Sequence, residues 1–290
     1  MNFGLCTPDD IALLTESNWL SPLGVLWALN RTDSPLWTTS GYYVAADGEM
    51  AAVFTGSDYR YLRASVETAG FRPVFGDAVL AMRLRFGGVQ GVSSSVFGGD
   101  EEGVEIIHPT KRFFAGGPQS VRGFGLNLLG PTVLVISDLE DCGASNLTPE
   151  ELQACANALA PNEFDERPVG GNALFEGSAE LRFPVSGRLT VVGFIDAGQV
   201  WQGVDDDVQL VATPGVGIRF NSPVGPLRMD LGYNTTGTKF KPVVAVRSET
   251  GEIVELEDDV LYDPFTWDDP SLLTVVWRRI QLQFSIGEAF

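Results

Sequence analysis

The sequence predicts an all-β fold, an antiparallel transmembrane β-barrel of which about nine strands are present in 290 residues. Several segments alternate between apolar side chains and polar, charged or glycine residues, which is the period of a β-strand. Tight turns and long acidic connections also alternate along the chain, a pattern typical of membrane barrels. No run of 18 apolar residues is present, so no transmembrane helix is predicted.

The alternation defines the individual strands. We predict them, in chain order, at residues 20–30, 41–54, 59–73, 78–90, 172–184, 188–200, 210–221, 226–236 and 278–290. In the segment PLRMDLGY, for example, one face carries the apolar and aromatic residues and the other carries Arg228, Asp230 and Gly232. A soluble β-sandwich gives the same alternation with its apolar face turned inward, so alternation alone does not choose between the two folds.

The connections between strands distinguish the barrel from the sandwich. The sequences RPVFGD, PVSGR and NSPVGP predict short turns at every second connection. The connections between them are longer, at roughly residues 91–171, 200–210 and 235–277. Short turns at one rim and long loops at the other favour a barrel whose apolar face contacts lipid. Single-chain bacterial barrels have even strand counts, so nine strands indicate that one or more are missing or misread.

We divide the chain into an irregular N-terminal segment, residues 1–19, and a partial outer-membrane-type barrel, residues 20–290. Residues 91–171 are expected to form a long extracellular loop region with an acidic insert at 138–168. Within that insert, TPEELQACANALA predicts a helix with Thr148 as its N-cap, because Pro and Glu follow at the positions of a capped first turn.

The insert also contains two of the three cysteines, Cys142 and Cys155. A local disulfide between them is predicted for an oxidising compartment, and Cys6 is then left over. Free, inert thiols are the alternative interpretation. The N-terminal residues MNFGLCTPDDIALL lack a basic region followed by an apolar core, so they do not predict a signal peptide.

The charge excludes one class of partner. The net charge is −19, with 19 Lys and Arg against 38 Asp and Glu, and nucleic-acid binding needs a basic surface. The acidic clusters lie in turn-like stretches and are interpreted as solvated loops, with calcium capture by one cluster as the alternative. The single histidine, His108, has no Ser or Cys in a recognisable nucleophile motif beside it in the sequence. We predict no enzyme activity, no cofactor, and no catalytic or metal-binding residue.

A glycine-rich segment surrounds one arginine, Arg122, in FFAGGPQSVRGFG. The strand parity places Glu180, Arg182, Asp196, Arg219, Arg228 and Asp230 on the polar face of the barrel wall. Two carboxylates there favour a cation that brings several donors in a planar fork. We therefore predict a loop pinned inside the lumen by an Arg122–Asp196 pair, with Glu180 as second partner and Arg83 as an ordinary strand residue. The alternative is a flexible surface tip.

The motifs RFFAGGPQSVRGFG, GGNALFEGSAELRFPV, VVGFIDAGQVW, TPGVGIRFNSPVGPLRMDLGY and the terminal FSIGEAF occur in this order. Together they resemble the outer-membrane assembly-factor superfamily, the BamA/TamA-type barrels with a surface-antigen domain. The motif sequences are more similar to the TamA-like branch. The resemblance covers about residues 30 to 290.

The resemblance implies that the chain is the C-terminal portion of a 16-stranded barrel whose sixth extracellular loop folds into the lumen. The loop tip, Val121, Arg122, Gly123 and Phe124, would be held by Asp196 and Glu180. The family inserts or translocates outer-membrane proteins of Gram-negative bacteria, and a client strand pairs with an edge of its lateral seam. The last strand, with Phe284, Ile286 and Phe290, matches the pattern by which such barrels are recognised for insertion.

The family also has a signal peptide, periplasmic POTRA domains and further strands ahead of this segment, so we expect the chain to be part of a longer assembly factor. The partners that the resemblance implies are the outer-membrane bilayer, client outer-membrane or secreted proteins, and periplasmic or inner-membrane assembly partners bound through POTRA domains. The alternatives are a passive pore or secretion barrel, and the membrane anchor of an upstream enzyme domain.

Overall fold

The computed structural model describes residues 19–92, 107–136, 142, 147–203, 209–223, 225–246, 253–265 and 271–287. The chain divides into two compact units. Of the described residues, those within 19–130, 170–235 and 280–287 belong to the sheet unit, and those within 131–169 and 236–279 belong to the insert unit. Within the described ranges, neither helix combines the length and the apolar character that a bilayer-crossing helix needs.

The sheet unit contains one sheet of nine antiparallel strands. They are β1 (Leu23–Asn30), β2 (Gly41–Ala51), β3 (Tyr61–Pro73), β4 (Val79–Gly91), β7 (Ala173–Ser186), β8 (Leu189–Trp201), β9 (Val211–Ser222), β10 (Gly225–Tyr233) and β15 (Ile280–Ile286). Strands that are neighbours in this order are paired. Strand β7, which follows the long connection, therefore pairs with β4, and β15, which follows the last connection, pairs with β10. The predicted partial barrel of nine strands is confirmed, with strand ends that differ by a few residues.

The two faces of the sheet have opposite character. The exposed face is apolar, and its members include Met82, Phe86, Ile195, Val216, Ile218, Phe220, Leu227, Met229, Leu231, Leu282, Phe284 and Ile286. The opposite face, called the polar face below, buries all six of the charged residues that strand parity placed there. A soluble sandwich would bury the apolar side instead, so the burial pattern excludes that alternative.

The strand register places the polar side chains beside one another. Ser178 on β7 lies opposite Asp196 on β8, and Asp196 lies opposite Thr213 on β9. Arg228 on β10 lies opposite Arg219 on β9. Side chains directly opposite on one face are close enough to interact, so this register brings charges from four neighbouring strands into one cluster.

The insert unit has a sheet of its own. It contains β5 (Thr132–Ile136), β6 (Asp165–Pro168), β12 (Val243–Val246) and β13 (Ile253–Glu255), in the order β13-β12-β5-β6, and a separate pair of β11 (Lys239–Lys241) and β14 (Val260–Tyr262). Strands β5 and β12 run parallel, with Leu134 opposite Val243. The sequence of residues 235–277 predicts only a connection, because the four strands within it are three or four residues long and show no alternation.

The described residues of the insert unit also form two helices, α1 (Pro149–Ala158) and α2 (Leu272–Arg278). Helix α1 begins directly after Thr148, whose hydroxyl accepts a hydrogen bond from the Glu151 amide at 3.3 Å. The Glu151 carboxylate in turn accepts from the Thr148 amide at 2.9 Å, which completes the capping box. The buried face of α1 carries Leu152 and Ala156, which belong to the same core cluster as Leu134 and Tyr262.

A disulfide joins Cys142 to Cys155 on α1, across a sequence separation of 13 residues; Cys6 lies outside the described residues. Closing a loop of this length lowers the entropy of the unfolded chain and contributes about 3 kcal/mol. We therefore expect reduction, or Cys142→Ser with Cys155→Ser, to lower the unfolding temperature of the insert unit by several degrees. Thermal unfolding with and without reductant measures this, and Cys6→Ser is the matched control. An unchanged transition in reductant would contradict the prediction.

Candidate functional site

The glycine-rich segment lies between β4 and β5 and closes on itself. Ala115 and Leu129 form a β-bridge at its base, and Phe113 bridges to Gly171. Gly116 has a φ of 103°, in the left-handed region, and a Cβ there would meet the Gly125 carbonyl oxygen at 2.5 Å. The segment 115–129, called the pinned loop below, therefore needs glycine where its two arms touch.

Arg122 stands at the tip of the pinned loop and is 2% exposed. Its guanidinium binds Asp196 in a two-point fork, with Nε to Oδ2 at 2.7 Å and Nη2 to Oδ1 at 2.8 Å. The Arg122 backbone amide also donates to Asp196 Oδ2, at 3.1 Å. Charge-assisted, two-point bonds of this kind fix direction as well as distance.

Further groups on the polar face complete the environment of Arg122. Its Nη1 donates to Glu180 Oε1 at 2.5 Å and lies 3.6 Å from Asp230 Oδ2. Ser178 donates to Asp196 Oδ1 at 2.7 Å and accepts from Arg122 Nη2 at 3.3 Å. The Arg122 guanidinium carbon also lies 3.5 Å from the centre of the Phe194 ring, so a cation–π contact is added to the ion pairs.

Three more arginines surround the same carboxylates. Arg182 Nε donates to Glu180 at 2.9 Å, and Arg219 Nη2 donates to Glu180 at 3.1 Å. Asp230 accepts from Arg219 at 2.5 Å and from Arg228 at 3.1 Å. These residues are called the arginine cluster below: Arg122, Arg182, Arg219 and Arg228 with the carboxylates of Glu180, Asp196 and Asp230. All seven are buried.

Other contacts hold the pinned loop along its length. Arg83 donates to the Gln119 carbonyl at 2.8 Å, and Arg228 donates to the Pro118 carbonyl at 3.1 Å. Gln283 on β15 donates to the Phe124 carbonyl at 2.9 Å. The expectation that Arg83 is an ordinary strand residue is therefore wrong, because this side chain is buried and bound to the loop.

Glycines on three elements allow the loop to approach the sheet. A Cβ on Gly232 would meet the Arg122 carbonyl oxygen at 2.5 Å, and one on Gly198 would meet Val121 at 2.7 Å. A Cβ on Gly123 would meet the Thr213 side chain at 2.4 Å. The backbone of the tip thus rests directly on the strands, where no larger residue fits.

The structure places the remaining sequence-predicted residues as follows. Val121, Gly123 and Phe124 lie with Arg122 at the tip, and Val121 and Phe124 are buried. Phe284 and Ile286 are exposed on the apolar face of β15, and Phe290 lies outside the described residues. Sequence reasoning missed Ser178, Phe194, Arg83 and Gln283 as partners of the loop. Strand alternation assigns all four residues to the polar face, but the sequence does not show which of them contact the loop, because that depends on the path of the loop.

Comparison with known proteins identifies the family. The Omp85 superfamily domain matches residues 6–290. The outer membrane protein assembly factor BamA of Neisseria meningitidis serogroup B (strain ATCC BAA-335 / MC58) is 32% identical over 206 residues, 68% of this chain and 21% of that protein. BamA of Neorickettsia risticii (strain Illinois) is 27% identical over 236 residues, 77% of this chain and 26% of that protein. The chain thus spans about a quarter or less of these curated relatives.

A solved structure agrees with this assignment at the level of the fold. The crystal structure of BamA from Haemophilus ducreyi lacking POTRA domains 1–3 superposes with a TM-score of 0.57 and 19% identity, over 92% of this chain and 42% of that one. The similarity to the assembly-factor superfamily is confirmed, while the TamA-like branch stays a prediction. The segment is part of an integral outer-membrane β-barrel of a Gram-negative bacterium, and the chain belongs to the Omp85 superfamily.

Proposed function

We propose that this chain is the C-terminal barrel part of an outer-membrane protein insertion or translocation factor that works without enzymatic chemistry. Family membership supports the proposal, and both curated relatives are named outer membrane protein assembly factors. The expected partners are the outer-membrane bilayer, client outer-membrane or secreted proteins, and periplasmic or inner-membrane factors that bind through POTRA domains. Nucleic acid is not among them, given the net charge of −19.

The observation that carries the proposal is the fixed position of the pinned loop on the polar face. Arg122 makes five hydrogen bonds to Ser178, Glu180 and Asp196. A pore for passive diffusion needs an open lumen, whereas this chain uses a buried charge cluster to hold a loop against its wall. We propose that the loop keeps β7 to β10 rigid while another part of the barrel opens.

The proposed mechanism uses backbone pairing at a sheet edge. Within the part of the chain that the structure describes, β1 and β15 are the ends of the nine-stranded order. An unpaired edge in lipid costs several kcal/mol for each exposed backbone group, so it favours pairing with an incoming strand. A client segment that adds to β15 gains those hydrogen bonds, in the manner of β-strand addition. Gln283 connects this strand to the pinned loop through the Phe124 carbonyl.

The proposal is tested in cells that depend on a full-length copy of the factor. Asp196→Asn keeps the shape of the side chain but removes the charge that faces Arg122, and we expect outer-membrane client proteins to fall to about half or less. Asp47→Asn is the matched control, since Asp47 forms an ion pair with Arg63 at 3.2 Å but is 38% exposed. Client levels and the amount of the factor itself are both measured.

Two outcomes would contradict the proposal. Normal client levels with Asp196→Asn, at unchanged amounts of the factor, would mean that client assembly does not depend on the ion pair that holds the pinned loop. Steady ion conductance by the purified full-length protein in planar bilayers, unchanged by Asp196→Asn, would favour the passive pore instead.

A further inference from the structure

We propose that the polar face holds a binding site for a small tetrahedral oxyanion, phosphate or a phosphate monoester, in a cavity next to the arginine cluster. The cavity has a volume of about 250 Å³ and lies at the turn ends of β7, β8 and β9. Its polar lining includes Thr38, Arg182, Thr190, Arg219 and Asn221. Among the described residues that line it, none carries a carboxylate.

The first argument is the charge of the arginine cluster. Arg219 on β9 and Arg228 on β10 are positively charged neighbours on the polar face, and both are at least nine-tenths buried. An uncompensated charge in a buried site is costly, because it loses its hydration without gaining a partner. Arg122 is matched by Asp196 in the two-point fork, whereas Arg219 and Arg228 are two like charges that lie directly opposite each other and both donate to Asp230. One bound anion would place a second negative charge beside this pair.

The second argument is the unused hydrogen-bonding capacity of Arg219. Its Nη1 donates to Asp230 and its Nη2 donates to Glu180, but its Nε has no hydrogen-bond partner among the described residues. Arg219 is 5% exposed and lines the cavity. A buried donor without a partner is rare in native proteins, and a bound anion or water is the usual explanation. The Thr190 hydroxyl and the Asn221 amide, which line the same cavity, add donors suited to phosphate oxygens.

The third argument is that the cavity wall is built in advance. Its far side comes from the β1–β2 connection, where Thr38 is buried and donates to the Ser34 carbonyl at 2.7 Å. Asp33 holds the same connection by accepting from the Thr39 amide at 3.0 Å and from the Ser40 amide at 3.2 Å. The Thr39 hydroxyl also donates to Asp33 and lowers the pKa of this carboxyl to about 2, so the contact persists at all physiological pH values.

The size of the cavity fits the ligand class. A single water needs about 10–15 Å³ of such volume, so the cavity has room for one phosphate group and several waters. Trp37, Pro184 and Pro226 also line it and limit the space for anything larger. Free phosphate and the phosphate of a lipid headgroup share this chemistry, and the experiment separates these two sources.

The test is a titration of the full-length protein in detergent with inorganic phosphate, against chloride at equal ionic strength, followed by thermal unfolding and ³¹P NMR line broadening. We expect phosphate to raise the unfolding temperature by several degrees and to broaden the ³¹P signal. Arg219→Lys keeps the charge but removes Nε, and we expect phosphate affinity to fall at least about tenfold. Thr190→Val removes one hydroxyl with little change in volume and should weaken affinity to a smaller extent.

Arg72→Lys on β3 is the matched control, because Arg72 is exposed and should leave phosphate binding unchanged. Absence of a phosphate-specific effect in the unaltered protein would overturn the proposal and leave a water-filled cavity. An effect that survives both Arg219→Lys and Thr190→Val would also overturn it, since the anion would then bind elsewhere. Competition by glycerol phosphate, together with phospholipid in the mass spectrum of the purified protein, would identify a headgroup as the source; their absence would identify free phosphate.

Discussion

Arg122→Ala is expected to release the pinned loop and to destabilise the sheet unit by about 3–5 kcal/mol, the usual cost of leaving a buried charge without its partner. The substitution leaves Asp196 and Glu180, both fully buried, without the cation that joins them. It also removes the contact with the Phe194 ring. Arg122→Lys keeps the charge but not the two-point fork, so we expect a smaller but clear loss.

Denaturant unfolding of the full-length protein in detergent measures the loss of stability, and limited trypsin digestion measures release of the loop. Lys111 and Arg112 lie just before the loop, so cleavage there should become faster in Arg122→Ala. Arg72→Ala is the control, because Arg72 is exposed on β3, whereas Arg83 is buried and bound to the loop. Equal stability and equal cleavage in Arg122→Ala and Arg72→Ala would refute the pinned loop.

Gly232→Ala is the second large effect that we expect. Gly232 lies on β10, and a Cβ there would stand 2.5 Å from the carbonyl oxygen of Arg122 and 2.8 Å from the amide nitrogen of Gly123. Both of these are backbone atoms, so no side-chain rotation relieves the clash. The tip must move away from the sheet, which lengthens the bonds between Arg122 and Asp196. Forcing one methyl group into a close-packed site costs roughly 1–3 kcal/mol.

Gly193→Ala on β8 is the matched control for Gly232→Ala. A Cβ on Gly193 meets nothing within 4 Å, and its backbone is extended like that of Gly232. Alanine has the greater strand propensity of the two residues, so Gly193→Ala should be neutral or slightly stabilising. The same unfolding and trypsin measurements apply. If the two variants behave alike, the tip does not rest on β10 as the structure describes.

Much of the sheet was predictable because the period of two acts on every residue of a strand. Once Asp230 is assigned to the polar face, Arg228 and Gly232 must share that face, and no tertiary information is needed. The ion pairs of Arg122 were predictable for a different reason, because one arginine among glycines, near a strand face that carries carboxylates, has few other stable partners. These ion pairs depend on the charges and hydrogen-bonding groups of individual residues.

The path of the loop and the insert unit were not predictable in the same way. Arg83 resembles any alternating strand residue, and only the backbone path through Gln119 makes it an anchor. The strands of the insert unit are three to five residues long and pair across long stretches of sequence, so no local pattern marks them. Their apolar residues are buried on both sides of the sheet, as the adjacent Leu134 and Val135 are, and therefore do not alternate with polar ones.

The parallel pairing of β5 with β12 determines when the insert unit is able to form. Strand β12 follows β5 by about a hundred residues, and four strands of the sheet unit, β7 to β10, are synthesised between them. Until β12 arrives, β5 has only β6 as a neighbour, and its other edge carries open hydrogen-bonding groups. Non-local pairing of this kind is slow, so the insert unit is a late-folding element. Removing residues 131–169 or 236–279 alone leaves half a sheet that is prone to aggregation, and a viable deletion removes both together.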